Sequence, residues 1–167
     1  MTRPSTTYDR FAAITAAAAA DTVPTRLAAI DAALAAGIGH KLFTVLVLNW
    51  EKGENQRYYS NLPDSYRVGG AKPINKSSAS SVLEGQCRFL NDYNDIKAAF
   101  FDHELIRSLG CESCVNVPVR WNGKTIGMLN ALHEAGWYTQ ADVPELSAYA
   151  ALAAPALLEI IAGWDKP

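Results

Sequence analysis

The feature that most constrains this fold is a pair of alternating stretches joined by a tight turn. Residues Cys114 to Arg120 alternate between two kinds of side chain, Trp121-Asn122-Gly123 can form the turn, and Lys124 to Leu132 returns as a second strand. An Asn-Gly step between two such runs is a strong local signal for a β-hairpin. The pattern therefore predicts an antiparallel sheet near the end of the chain.

The alternation also predicts what each face of this hairpin carries. A three-residue loop with Gly123 in the left-handed region would place Cys114 opposite Asn130, and Asn116 opposite Met128. A two-residue turn would instead shift the pairing by one residue and separate Cys114 from Asn130. Successive side chains point to opposite faces of a strand. The first face then carries Cys114, Asn116, Met128, Asn130 and Leu132, and the second carries Val115, Val117, Val119, Gly127, Leu129 and Ala131.

The two faces suggest different roles. The second face is small and apolar, which suits packed helices, and Gly127 would let a helix backbone approach closely. On the first face, a buried amide without a partner would cost ~1–3 kcal/mol. We therefore expect the polar face to line a ligand site.

Alanine-rich helices are predicted at both ends of the chain. Residues 5–20 place apolar side chains at helical spacing, and Pro24 begins a second helix that ends near Gly37. A last helix begins at a capping-box-like pair, Thr139 and Asp142, and runs to Ile161 with a kink expected at Pro155.

Shorter elements are predicted between them. The pattern predicts strands at Leu42–Trp50, Arg57–Ser60 and Arg88–Leu90, helices at Ser77–Glu84 and Asp95–Leu109 (broken near Asp102), and a loop at Leu62–Lys76. No repeat or linker divides the chain, so residues 1–167 are expected to form a single α+β domain.

Composition excludes several classes of function. The net charge is −2 and the 15 Lys and Arg are scattered, which argues against an electrostatic nucleic-acid binder. The longest strongly apolar run, Leu42–Leu48, is too short to span a bilayer, and Met1–Ala20 does not resemble a signal peptide. Three cysteines do not suggest a disulfide scaffold, so a cytoplasmic location is expected.

Three fragments, in order, resemble the GAF domain family. Ser113–Ala131 is similar to the family's strand pair, with Val-Pro-hydrophobic leading through a turn glycine to Ile-Gly-hydrophobic-Leu. Tyr138–Val143 is similar to the aromatic-Thr-x-x-Asp start of the family's last helix, and Leu90–Asp92 to a hydrophobic-x-Asp step. The resemblance covers roughly residues 24–161, with residues 1–23 as a helical extension.

The resemblance implies a GAF/PAS-like twisted antiparallel sheet of about five or six strands. Terminal helices would cover one face, and a lid segment would close a pocket on the other. It also implies a small-molecule-binding sensor, with ligand and cofactor unknown. The polar face lacks fixed charge, which favours a neutral or aromatic ligand. The candidate ligand-binding residues are Trp50, Tyr58, Tyr93, Phe101, His103, Cys114, Asn116, Met128 and Asn130.

Each candidate has a structural alternative. The two asparagines could bond loop backbone instead, and the aromatic residues could simply pack as core or lid. Within the family, cyclic-nucleotide binders carry an Asn-Lys pair after the last strand, but Ala131 follows Asn130 here. Bilin binding is also not expected, since the accompanying Cys-His pair is missing.

The main rival is an enzyme of the same family. Free methionine-R-sulfoxide reductases use cysteines beside the pocket, and this chain has Cys111-x-x-Cys114 and Cys87. However, the acidic pair of the returning strand is replaced by Asn130 and Leu132, so no catalytic residue is predicted. One C-x-x-C also offers too few ligands for zinc, so no metal site is predicted.

A third possibility is a module that only binds other proteins. The family resemblance implies a homodimer through the terminal helices, and Ala12–Ala20 with Leu157–Trp164 would suit such a bundle. The expected partners are therefore a small molecule, a second copy and possibly another protein, with no nucleic acid and no membrane.

Overall fold

The computed structural model describes residues 6–20, 22–77 and 79–164. The helices are α1 (Thr7–Ala20), α2 (Val23–Gly37), α3 (Ser80–Leu83), α4 (Tyr93–Ala99), α5 (His103–Ser108) and α6 (Val143–Ala162). The strands are β1 (Leu42–Asn49), β2 (Glu54–Ser60), β3 (Gly69–Pro73), β4 (Arg88–Leu90), β5 (Ser113–Trp121) and β6 (Lys124–His133). They form one antiparallel sheet in the order β3-β2-β1-β6-β5-β4, which confirms the predicted α+β fold.

The long helices α1, α2 and α6 cover one face of the sheet. The apolar side chains of the central strands, among them Val45, Val117 and Leu129, are fully buried in one core with these helices. Gly127 allows the close approach predicted for it, because a Cβ there would lie 2.4 Å from both Leu157 Cδ2 and the Leu46 carbonyl oxygen. Helix α6 therefore packs directly on the apolar face of the β5–β6 hairpin.

The start of α6 has the predicted capping box. The Thr139 backbone N–H donates to Asp142 Oδ2 at 2.8 Å, and the Thr139 side chain caps the backbone in return. The segment Gln140–Ala162 is apolar and long enough to cross a membrane by those two criteria alone. Eight residues of α6 are buried in the domain, so packing on the sheet accounts for its apolar character.

The first helix contributes to the same core. Ile14 of α1 is 1% exposed within the main cluster, and Arg10 forms an ion pair with Glu145 of α6 at 2.9 Å. Leu157 and Ile160 are buried here as well, so they are not free for the bundle between copies that the sequence suggested. The start predicted for α1, at Ser5, lies outside the described residues.

The predicted register of the β5–β6 hairpin is wrong, although its faces are right. Asn116 lies opposite Asn130, not Met128. The turn has two residues, because Asn122 and Gly123 both adopt positive φ angles, of 48° and 74°. A bulge at Ile126 then adds one residue to β6, so the pairing moves by two residues and every side chain keeps its face.

Two shorter elements also differ from prediction. Residues 69–73, predicted as loop, form the edge strand β3, where an edge position tolerates Pro73 because its missing N–H faces away from the sheet. The helix predicted at Ser77–Glu84 is shorter, at Ser80–Leu83. The predicted break near Asp102 is present between α4 and α5.

Candidate ligand-binding cavity

A cavity of about 230 Å³ lies on the face of the sheet opposite the long helices. Its floor is formed by the central strands, and its walls by residues within 74–75, 79–83 and 99–106. The apolar part of the lining includes Leu46, Leu48, Val82, Leu83, Ile106 and Leu132. The polar and charged part includes Thr44, Asn116, Asn130, Arg57, Lys72, Arg88 and Asp102.

A row of polar side chains crosses the floor. Strand pairing places Thr44 of β1 opposite Asn130 of β6, and Asn130 opposite Asn116 of β5. Directly opposed side chains in antiparallel strands lie close enough to interact. The register, set by the Asn122–Gly123 turn and the bulge, therefore assembles this row.

Hydrogen bonds join the row but leave one acceptor unused. Asn130 Nδ2 donates to Thr44 Oγ1 at 3.2 Å, and Asn116 Nδ2 donates to Asn130 Oδ1 at 2.7 Å. Asn116 Nδ2 also lies 3.4 Å from Cys114 Sγ. Asn116 is 5% exposed, and its Oδ1 accepts no hydrogen bond from the described residues. The cavity thus contains a nearly buried amide with unfilled capacity for a polar partner.

Two cationic side chains stand at the β2–β3 end of the cavity. Arg57 Nη1 donates to the Arg67 carbonyl oxygen at 2.8 Å, and its guanidinium lies 4.0 Å from the Tyr66 ring centroid. Lys72 Nζ lies 4.8 Å from the ring centroid of Phe101, which is 86% exposed. That contact links edge strand β3 to the α4–α5 connection across the cavity.

The carboxylate of the lining, Asp102, lies near the buried Tyr66 hydroxyl. Burial raises the pKa of Tyr66, the nearby Arg57 charge opposes the rise, and the Asp102 carboxylate adds a smaller increase. Tyr66 is therefore a neutral hydrogen-bond donor beside the cavity.

The sequence pattern does not predict this charged part of the cavity. It predicts a loop over residues 62–76, which gives Lys72 no expected position. It predicts a strand that includes Arg57, but only the fold shows that Arg57 shares a cavity with Asn116. Alternation along β2 and β3 could have suggested which face their cations occupy, had β3 been recognised.

Four of the nine predicted site residues line the cavity. They are Phe101, Asn116, Met128 and Asn130. Met128 and the two asparagines lie on the face that alternation assigned to the pocket. Phe101 lies on the connection between α4 and α5, in the lid segment.

The structure places the other five outside the cavity lining. Trp50 donates through Nε1 to the Thr125 carbonyl oxygen at 2.7 Å, and Tyr58 packs beside Trp164 with the long helices. Tyr93 Oη lies 2.8 Å from His103 Nδ1. These side chains have partners within the protein and do not line this cavity.

Cys114 also does not line the cavity, and the environments of the three cysteine thiols do not favour redox chemistry. Cys111 and Cys114 are fully buried, and Cys87 is half-buried. Burial raises the pKa of Cys111 to about 11 and that of Cys114 to about 12. Burial also raises the pKa of Cys87. Since the thiolate is the nucleophile, none of these is activated near neutral pH.

Comparison with known proteins identifies the architecture. A family model for the GAF domain matches residues 14–158. The GAF domain of a phosphoenolpyruvate-protein phosphotransferase from Acinetobacter superposes with a TM-score of 0.74 at 11% identity, covering 96% of this chain and 97% of that one. A methyl-accepting chemotaxis protein fragment gives 0.64 at 19% identity, covering 91% and 98%.

A third structure belongs to an enzyme. The free methionine-R-sulfoxide reductase from Neisseria meningitidis, in complex with its substrate, gives a TM-score of 0.67 at 16% identity, covering 98% of this chain and 97% of that one. At these identities the likeness to solved structures is one of fold. No curated protein matches the chain in sequence.

Proposed function

The chain belongs to the GAF domain family, and we propose that it is a regulatory domain that binds a small molecule in the cavity described above. The observation that carries this proposal is Asn116. Its side chain is nearly buried and lines the cavity, and its Oδ1 accepts no hydrogen bond from the described residues. Within that same part of the chain, the fully buried side-chain atoms without a partner are Arg26 Nε and His40 Nδ1, so Asn116 Oδ1 is accessible from the cavity. A ligand in the cavity would find a hydrogen-bond acceptor there.

The size of the cavity limits the ligand. A buried apolar cavity of about 150 Å³ in an unrelated protein holds one benzene molecule. At about 230 Å³, this cavity accommodates one ring with substituents. Haem and bilin chromophores are several times larger, which argues against both.

The proposed output runs through the strands that separate the two faces. Asn130 lines the cavity, while Leu129, its neighbour on β6, packs in the core with α6. A ligand that bonds Asn130 would therefore stiffen or shift the strand on which α6 rests. We propose that α6 and the helices beside it pass this change to a partner.

The proposed partner is a second copy of the chain, in the cytoplasm. The outer sides of α1 and α2 carry exposed alanines, including Ala16, Ala28 and Ala32. Small side chains permit close packing between helices. The dimer surface would thus be the outer side of the helical layer, not the buried residues near Leu157.

A reductase activity has less support. The fold likeness to the Neisseria enzyme favours it, but Cys111 and Cys114 are buried with raised pKa values. Asn130 and Leu132 stand in the cavity lining in place of the acidic pair of that enzyme family. We therefore propose a binding domain without catalysis.

The test is native mass spectrometry of the purified protein, followed by denaturation to identify any retained molecule. Ala99→Trp would fill the cavity from α4, because Ala99 lines it. Ala98→Trp places the same side chain on the exposed neighbouring residue and is the matched control.

We expect wild type and Ala98→Trp to retain a small molecule, or to gain thermal stability with one member of a metabolite panel. Ala99→Trp should do neither while remaining folded. Equal behaviour of the two variants would overturn the proposal, and so would the absence of any retained or stabilising molecule for wild type.

A further inference from the structure

We propose that the ligand is a compact organic anion of about one-ring size, whose anionic group contacts Lys72 and Arg57 and whose other end donates a hydrogen bond to Asn116. This inference rests on the proposed function of the cavity. It replaces the neutral ligand expected from the hairpin residues alone.

The sign of the ligand follows from the charges in the lining. Within the described part of the chain, neither Arg57 nor Lys72 forms an ion pair with a carboxylate. Arg88 adds a further positive charge, while Asp102 is the acid of the lining. The lining is therefore positive in a chain whose net charge is −2. Arg57 and Lys72 have no carboxylate partner among the described residues, and such cations in a recess attract anions and strengthen hydrogen bonds to them.

The geometry of Arg57 and Lys72 suits a carboxylate. Asn55 pairs with Lys72 and Arg57 with Gly69 across β2 and β3, so both cations stand on adjacent strands at one end of the cavity. Arg57 uses one nitrogen on the Arg67 carbonyl and is held over the Tyr66 ring, which leaves its other donors fixed in direction. A fixed guanidinium is well suited to binding a planar anion.

The row of polar side chains, referred to as the amide row and formed by Thr44, Asn130 and Asn116, determines which chemical group the opposite end of the ligand carries. Both Asn116 amide hydrogens have acceptors, Asn130 Oδ1 and Cys114 Sγ, so the unused capacity of this side chain is its carbonyl oxygen. A hydroxyl or amino group on the ligand would satisfy it.

The distance between the two ends sets the length. Asn116 and Arg57 lie on strands separated by three inter-strand spacings, β5-β6-β1-β2, and Arg57 pairs with Leu46, two residues along β1 from Thr44. At about 4.8 Å per spacing and about 3.4 Å per residue, the two backbones lie about 16 Å apart. A ligand of about one substituted ring would bridge the space that the long Arg57 side chain and the Asn116 side chain leave between them. The apolar residues between them, Leu46 and Met128, would contact the ring faces.

The experiment is calorimetric titration with 4-hydroxybenzoate and 4-aminobenzoate as probes. The comparison compounds are 4-hydroxybenzamide, which has no charge, and benzoate, which has no donor at its far end. We expect each comparison compound to bind about tenfold more weakly than the probes, since one lost charged or buried hydrogen bond is worth about that factor. Equal affinity of 4-hydroxybenzamide and 4-hydroxybenzoate would overturn the inference.

Variants locate the anionic group. Lys72→Met should weaken both probes about tenfold, and Lys72→Arg should restore most of the affinity. Lys97→Met removes an exposed charge from α4 outside the cavity and should change nothing. Equal effects of Lys72→Met and Lys97→Met would contradict the assignment.

Failure of this inference can be told apart from failure of the proposed function. If the protein retains or binds another molecule that Ala99→Trp excludes, but no probe binds, the anion class is wrong and the sensor stands. If Ala99→Trp and Ala98→Trp behave alike towards every molecule, both fail.

Discussion

The two faces of the sheet use the same strands for different purposes. On one face, Val117 and Leu129 are fully buried against long helices. On the other, Asn116 and Asn130 alternate with them and line a cavity under short helices. Successive residues of a strand point in opposite directions, so one strand serves both faces.

The helical face and the cavity face therefore contribute to different properties, the first to stability and the second to ligand recognition. The helical face buries apolar surface, which is the dominant favourable contribution to folding. The cavity face leaves a volume unfilled, and Asn116 Oδ1 there has no partner among the described residues, so this face contributes less to folding. Changes on the helical face should therefore affect stability, and changes on the cavity face should affect binding.

The largest effect is expected at the contact between sheet and α6. Gly127→Val places a side chain where even a Cβ would lie 2.4 Å from the Leu46 carbonyl oxygen and from Leu157. Strand and helix would have to separate, which should cost more than about 3 kcal/mol of unfolding free energy. Chemical denaturation measures it. Gly163→Ala is the control, because a Cβ there meets only ordinary contacts, at 3.6 Å and beyond.

The next effect tests whether α1 belongs to the helical face. Ile14→Ala removes a side chain that is 1% exposed in the main core. We expect a loss of about 3 kcal/mol in the free energy of unfolding. If α1 is a loosely attached extension, the same denaturation curve should move very little.

A smaller loss of stability is expected when a polar contact between α1 and α6 is removed. The Tyr149 hydroxyl donates to Glu145 at 2.7 Å and accepts from Arg10 Nε at 3.1 Å. Tyr149→Phe should cost about 1 kcal/mol, since Arg10 and Glu145 still bond each other.

The same tyrosine makes stability depend on alkaline pH. Burial, then the bond to Glu145, raises the pKa of Tyr149 to about 12. Because the folded pKa lies above the unfolded value near 10, this contribution is complete below pH 10 and is lost as pH rises towards 12. Thermal unfolding between pH 9 and 12 should show a steeper loss for wild type than for Tyr149→Phe.

The smallest stability effect is expected on the cavity face. Replacing both members of a buried hydrogen-bonded pair by apolar groups of similar shape is nearly neutral. Asn116→Leu combined with Asn130→Leu should therefore change the unfolding free energy by less than about 1 kcal/mol, while it abolishes ligand binding. If this double variant binds the ligand as well as the wild type does, Asn116 and Asn130 are not part of the binding site.

The sequence predicted the faces of the hairpin better than its register. The face of a residue depends on whether the pairing is displaced by an even or an odd number of residues. The shorter turn and the bulge at Ile126 each displace the pairing by one residue, so Asn116 stays on the cavity side. A bulge has no simple sequence signal, which is why the partner of Asn116 was predicted wrongly. The capping box at Thr139 was predictable because it depends on neighbouring residues only.

The charged part of the site could not be predicted from local patterns. Lys72 lies on an edge strand whose glycines and proline are typical of loops. Tyr93 and His103 were chosen as ligand contacts for their chemistry, but they bond each other. Which polar side chains find partners is decided by tertiary packing, so alternation alone did not separate them from Asn116.

The most direct test of the account is protein-detected NMR with a library of one-ring compounds, both charged and neutral. Chemical shifts of the backbone amides would show where compounds bind without assuming which one is the ligand. We predict that the largest changes lie at Thr44, Asn116 and Asn130 and extend through β6 to α6. Binding confined to the outer side of α1 and α2, with no change around the amide row, would contradict the account.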